Sequence, residues 1–317
     1  MSKPNSDGTP ILVTMGEPAG IGPEIAVEAF QALSGHIGRH PLKLIGDPGV
    51  FAACGFTGDT IATRARARRA PGKPEAANAA AVIEAIETAV TMAQRGEAAA
   101  LVTAPINKAV LVAAGFPHPG HTEFLQALTG APRAVMMLAS DMLRVVPLTI
   151  HIPLAKVPGA LTTAAIVETG EIILAALKRD FAIPAPRLAV AGLNPHAGED
   201  GVLGPEDGAI IAPAVAALKA KGHDVRGPLS ADTLFHAQAR ARYDAALCMY
   251  HDQALIPIKT LSFWDGVNVT LGLPVVRTSP DHGTAFDIAG TGKADASSMI
   301  AAIRLAAKMA DARAAEG

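Results

Sequence analysis

Three of the ten histidines, His151, His196 and His251, lie at or just past the ends of apolar, strand-like runs: RVVPLTI, RLAVAGL and AALCMY. In open α/β sheets ligands bind beyond the carboxyl ends of the strands, so polar groups placed there are candidates for chemistry. Imidazole suits zinc and other divalent first-row metals, and three protein ligands with open positions describe a catalytic rather than a structural site. The separations of 45 and 55 residues match no local metal motif. Spacing alone therefore favours three isolated loop histidines, and the strand-end placement narrows that gap. Asp232 and Asp252 could orient such ligands, although a solvated or helix-capping role fits either as well.

Other groups suit anions. His121 and Thr122 stand just ahead of a helical run, where free N–H groups and the positive dipole end favour phosphate. An ordinary threonine cap beside a surface histidine is the competing reading, and His118 shares the loop. Lys259, Asn268 and Arg277 follow His251 at intervals of eight to nine residues. A lysine and an arginine there could clamp a carboxylate or phosphate, or serve only solubility. The stretch DHGTAFDIAGTGKADASS is broken by small residues, which lets a ligand approach the backbone closely. It is not a GxGxxG turn after a strand, and GEPAGIGPE lacks the GK[ST] of a P-loop.

Positioning these groups takes a large alternating fold. Strand-like runs at 11–15, 42–46, 99–105, 136–140, 144–150, 187–193 and 245–250 are separated by helical spacing at 75–95, 162–178, 205–221 and 231–242. Alternation of this kind predicts mainly parallel sheets with helices on both faces. The 317 residues are half hydrophobic and 18% charged, enough for a substantial core. A net charge of -2 and 4% aromatics argue against a nucleic-acid partner, and the basic run RARARRAPGK is read as a solvated loop. Two cysteines, Cys54 and Cys248, exclude a disulfide scaffold. No apolar run reaches a membrane span and no signal peptide is visible, so the expectation is a soluble cytoplasmic protein.

GEPAGIGPE, TAPINK, GHTEFL, GLNPHAGEDG, YHDQALIPIK and TSPDHGTAFDIAGTGKAD run in one collinear order from Gly16 to Asp295. Together they resemble the 4-hydroxythreonine-4-phosphate dehydrogenase family of vitamin B6 biosynthesis. The resemblance implies that His151, His196 and His251 bind one divalent metal, zinc, cobalt, manganese or magnesium. It implies substrate contacts from His121, Thr122, Lys259, Asn268 and Arg277, with Lys259 also a candidate for proton transfer. It implies a homodimer whose metal ligands come from both chains.

The implied fold is a two-lobed α/β fold similar to isocitrate and isopropylmalate dehydrogenases, not a Rossmann domain. Residues 1–130 plus 265–317 would form one lobe and 131–264 the other, with the active site in the cleft between them. NAD or NADP would bind at Asp281, His282, Gly283, Thr284, Asp287, Gly290 and Gly292. The implied reaction oxidises 4-phosphooxy-L-threonine. A sibling dehydrogenase acting on phosphothreonate, and a phosphate acyltransferase, are the alternatives.

Overall fold

The structure, a computed structural model, describes residues 8–118 and 120–316. Among them are twelve strands: β1 (Ile11–Thr14), β2 (His36–Ile37), β3 (His40–Gly46), β4 (Thr60–Ala62), β5 (Ala100–Val102), β6 (Val135–Ala139), β7 (Arg144–Thr149), β8 (Arg187–Ala191), β9 (Asp224–Leu229), β10 (Ala245–Tyr250), β11 (Val267–Leu271) and β12 (Arg277–Pro280). The principal helices are α1 (Gly22–Ala32), α2 (Ala79–Gln94), α3 (His121–Thr129), α4 (Thr163–Phe181), α5 (Ala212–Ala220), α6 (His251–Leu261) and α7 (Ser297–Glu316). The described residues divide into two compact α/β units, one of residues up to 134 with 267–314, the other of residues 135–266.

In the first unit the strand order is β2-β3-β1-β5-β12-β11, with β4 beside β3. β3, β1, β5 and β12 are parallel, while β2 and β11 are antiparallel to their neighbours. β1 is buried along its whole length, as a strand covered on both faces must be, which explains its unbroken ILVT. α2 buries Val82, Ala85, Ile86 and Ala89 at three- and four-residue spacing. Residues 76–94 are long and apolar enough to cross a membrane, but here the apolar stripe faces the core.

In the second unit the order is β6-β7-β10-β8-β9, with β7, β10, β8 and β9 parallel. β6 is antiparallel to β7 because only four residues join them. Ser140 tightens that turn, its hydroxyl accepting from the amides of Met142 and Leu143. The continuous helix expected over 231–242 does not form. Ser230 and Thr233 bond locally instead, leaving a 3-10 turn at Ala231–Thr233 and a short helix at Ala237–Arg240.

Candidate active site groups

The second unit carries all three strand-end histidines. Thr149 and Tyr250 are paired in the parallel register of β7 and β10, and the Thr149 hydroxyl donates to the Met249 carbonyl at 2.8 Å. His151 and His251 follow these residues, and their rings lie 5.8 Å apart between centroids. Two imidazoles on one tetrahedral metal, at ~2.0–2.1 Å per nitrogen, would place their ring centres roughly 5–6 Å apart, so the pair fits two positions of such a shell. His251 opens α6, and its Nδ1 meets the Asp252 carboxylate at 2.7 Å. With Nδ1–H donating to Asp252, Nε2 keeps the lone pair that a metal takes. Gln253 completes the arrangement. Its Oε1 accepts from the Met249 amide and its Nε2 donates to the Gly192 carbonyl, both at 2.7 Å, tying the end of β10 to the end of β8.

His196 sits beyond β8 in an unusual turn. His196, Ala197, Gly198, Glu199 and Asp200 all have left-handed backbone, with φ between 43° and 84°. Four of the five are not glycine, and such residues cost about 1–2 kcal/mol each in this region. Asp207 holds the preceding corner. This buried carboxylate accepts from the amides of Leu193 and Asn194 and from the Asn194 side chain, at 2.8–3.1 Å. Asp232 lies near His196. The Ser230 hydroxyl, 2.5 Å away, and then His196 hold the Asp232 carboxyl below its usual range. Among the described residues, no three His, Cys, Asp or Glu side chains of this chain meet in a metal-holding group. His151 and His251 come together, and His196 is not part of that pair. Lys259 lies two turns further along α6, its ammonium 5.6 Å from the Phe263 ring centre.

The first unit holds a buried arginine on two threonine hydroxyls. Arg277 begins β12 and is only 4% exposed. One step beyond the Val269–Thr278 pair of the antiparallel β11–β12 ladder, it faces Thr270. Its Nη1 donates to Thr270 Oγ1 at 2.9 Å, and Nε and Nη2 donate to Thr103 Oγ1 at 3.1 and 2.6 Å. None of these acceptors is charged. Burial without a counter-charge pulls the guanidinium down to about 9, so it still carries its charge at neutral pH.

His121, the first residue of α3, meets Arg277 Nη2 through Nδ1 at 3.4 Å. A guanidinium can only donate, so Nδ1 accepts and the ring proton sits on Nε2. That Nε2 is buried with no hydrogen-bond partner. Burial, and then the charge of Arg277, hold His121 well below its usual value, which keeps the ring neutral. Asn268 is two residues from Thr270 on β11, hence on the same face, and its Oδ1 is also buried without a partner. An unneutralised arginine beside an unmatched N–H is what a small anion would complete. Thr122 lies in the first turn of α3, with its free amides. Thr103 and Thr270 were missed by sequence reasoning, although TAPINK contains the first of them.

The 281–292 loop follows β12. His282, Gly283, Asp287, Gly290 and Gly292 are exposed, and Thr284 is half-buried. A side chain added at Gly283 or Gly292 would meet nothing within 4 Å, so the backbone there is open to close approach by a ligand. The basic run at 64–73 is not simply solvated. Arg64, Arg66 and Arg68 are exposed and pair with Glu84, Asp47 and Glu75, whereas Arg69 turns inward.

Residues 42–306 match the family model of the pyridoxal phosphate biosynthetic protein PdxA. A 4-hydroxythreonine-4-phosphate dehydrogenase of Roseobacter denitrificans is 58% identical, covering 95% of this chain and 97% of that protein. A crystal structure of 4-hydroxythreonine-4-phosphate dehydrogenase from Klebsiella pneumoniae is 40% identical, with a TM-score of 0.86 over 96% of this chain and 100% of that one. A β-decarboxylating dehydrogenase from Thermococcus kodakarensis shares the fold alone, at 17% identity and a TM-score of 0.51 over 92% of this chain and 81% of that one. A buried arginine on two hydroxyls and a pair of strand-end imidazoles accompany this likeness along the whole chain: the chain belongs to the PdxA family of pyridoxal phosphate biosynthetic proteins.

Proposed function

We propose that the protein is a cytoplasmic, metal-dependent 4-hydroxythreonine-4-phosphate dehydrogenase using NAD or NADP. The observation that carries the substrate class is Arg277, a buried cation on two hydroxyls, with the unpartnered Nε2–H of His121 close by. In this reading Arg277, His121 and Thr122 bind the anionic end of the substrate, and Asn268 and Lys259 bind its other polar groups. His151, His251 and His196 hold the metal, with Asp252 and Asp232 as carboxylates that orient them. The loop from Asp281 to Gly292 receives the dinucleotide, at Asp281, His282, Gly283, Thr284, Asp287, Gly290 and Gly292.

The reaction converts 4-phosphooxy-L-threonine and the oxidised dinucleotide to 2-amino-3-oxo-4-phosphooxybutanoate, reduced dinucleotide and a proton. The oxo acid then loses carbon dioxide to give 3-amino-2-oxopropyl phosphate. When bound, the metal would acidify the C3 hydroxyl, and nicotinamide would accept the hydride from C3 itself. Zinc, cobalt and manganese suit imidazole ligands better than magnesium does. The chain's own part is to orient. The Asp252 carboxylate presents His251 Nε2, Arg277 fixes the anionic end, and Lys259 is the candidate to take or return a proton.

The functional unit in this reading is a homodimer. Each histidine is followed by exposed apolar residues: Ile152 and Leu154, Val202 and Leu203, and Ile256. Exposed apolar residues next to ligand candidates suit a face that a second copy covers. His151 and His251 would then come from one chain and His196 from the other. The test is a substrate panel. Reduced dinucleotide should appear with 4-phosphooxy-L-threonine at a kcat/KM at least tenfold above that for a phosphothreonate. The opposite order would move the protein to the sibling activity, and phosphate-dependent acyl transfer without redox change would overturn the assignment.

A further inference from the structure

Arg69 is the one arginine of the 64–73 run whose side chain is buried, at 7% exposure. Its Nη1 donates to the carbonyls of Pro18 and Gly20, at 2.8 and 3.2 Å, and its Nη2 donates to the Glu24 carboxylate. The same Glu24 oxygen accepts from the amide of Gly290 at 2.7 Å. Two backbone bonds flank this contact: Ile21 N–H to the Thr284 carbonyl at 2.9 Å, and Gly72 N–H to the Ala19 carbonyl at 2.8 Å. The approach is close enough to require glycine, because a Cβ at Gly20 would stand 2.6 Å from the Thr284 carbonyl oxygen. Three segments far apart in sequence, 18–24, 69–72 and 284–290, thus close on one another. Arg69 is the hub, since it neutralises Glu24 and satisfies the two carbonyls of the turn that carries it.

We propose that Arg69 and Glu24 are positioning residues that hold the 284–290 segment in the shape that receives the dinucleotide, which rests on the reading of 281–292 as the dinucleotide loop. Within the loop, short-range bonds run from Ile288 N to the Ala285 carbonyl, from Thr291 N and Oγ1 to the Ile288 carbonyl, and between His282 Nδ1 and the Gly283 carbonyl. Local turns alone leave a loop to order itself on binding, and that ordering weakens affinity. The Glu24–Gly290 and Ile21–Thr284 bonds order it beforehand.

Arg69→Lys keeps the charge and loses the fork that reaches two carbonyls and a carboxylate at once. Glu24→Gln keeps an acceptor for Gly290 and loses the ion pair. Amide exchange of 284–292 in the ligand-free protein, and dissociation constants for NAD+, NADP+ and inorganic phosphate by calorimetry, read the two effects apart. The expected result is exchange at least tenfold faster and dinucleotide binding about tenfold weaker for Arg69→Lys. Glu24→Gln should give a smaller change in the same direction, with phosphate affinity unchanged in both. Unchanged exchange in both variants overturns the clasp. Faster exchange with unchanged dinucleotide affinity retains the clasp and overturns the placement of the dinucleotide on this loop. A parallel loss of phosphate affinity marks general damage to the unit and overturns the specific role.

Discussion

The hydroxyl of Thr103 takes two hydrogen bonds from Arg277, at 3.1 Å from Nε and 2.6 Å from Nη2, and no carboxylate meets this arginine among the described residues. A hydroxyl oxygen aims a guanidinium without cancelling its charge, so the site keeps its attraction for an anion. Inorganic phosphate should therefore raise the melting temperature of the wild-type protein. Arg277→Met should abolish that rise and lower kcat/KM by at least about 10²-fold, since charge-assisted bonds are worth about 1.5–3 kcal/mol each. Thr103→Val should keep the fold and weaken phosphate binding about tenfold. Equal phosphate stabilisation of Arg277→Met and wild type would remove the anion from this site.

His121 and Glu17 give opposite pH signatures. His121 is held below its usual value in the fold, so its contribution is complete above about pH 6.5 and is lost as pH falls from there through the folded value. Glu17 is 1% exposed and burial raises it above the usual carboxyl value. Its contribution is present below about pH 4.5 and is lost as pH rises through the folded value. Urea unfolding across pH 4–8 should show a flatter acid limb for His121→Asn and a flatter neutral limb for Glu17→Gln. Curves parallel to wild type would contradict both assignments.

Asp207 supports the strained His196 turn from below. Asp207→Ala leaves two amides and a side-chain amide without their acceptor and should cost about 2–4 kcal/mol in unfolding experiments. In a variant that still folds, metal affinity should fall about tenfold or more while phosphate binding stays intact. A variant with wild-type metal affinity would show that the turn does not depend on this carboxylate.

Subunit exchange tests how the histidines are shared. If His151 and His251 belong to one chain and His196 to the other, a mixed dimer of His196→Ala and His251→Ala contains one intact site. Random mixing should restore roughly a quarter of wild-type activity. Mixing His151→Ala with His251→Ala should restore none. Recovery in the second mixture would contradict the pairing that the 5.8 Å ring separation suggests.

Much of this was legible in the sequence because strand ends are legible. Apolar runs ending in HIPL, NPHAGEDG and HDQ marked the histidines, and the parallel register of β7 and β10 brings two of them together. What could not be read was partnership. Thr103 and Arg277 are 174 residues apart, and nothing local says that they touch. The basic run at 64–73 read as a solvated loop, because composition cannot tell the inward Arg69 from its three outward neighbours. The 231–242 segment had helical composition, but Ser230 and Thr233 spend their polar groups on local turns. The left-handed run at 196–200 left no sign in residue types that ordinarily avoid it.

The most direct test is the metal dependence of dinucleotide reduction. Protein stripped by a chelator and dialysed should give no reduced dinucleotide with 4-phosphooxy-L-threonine. Zinc, cobalt or manganese added back should restore turnover, and His251→Ala should stay inactive with any of them. Full turnover by the stripped protein, or by His251→Ala, would contradict a metal-dependent dehydrogenase.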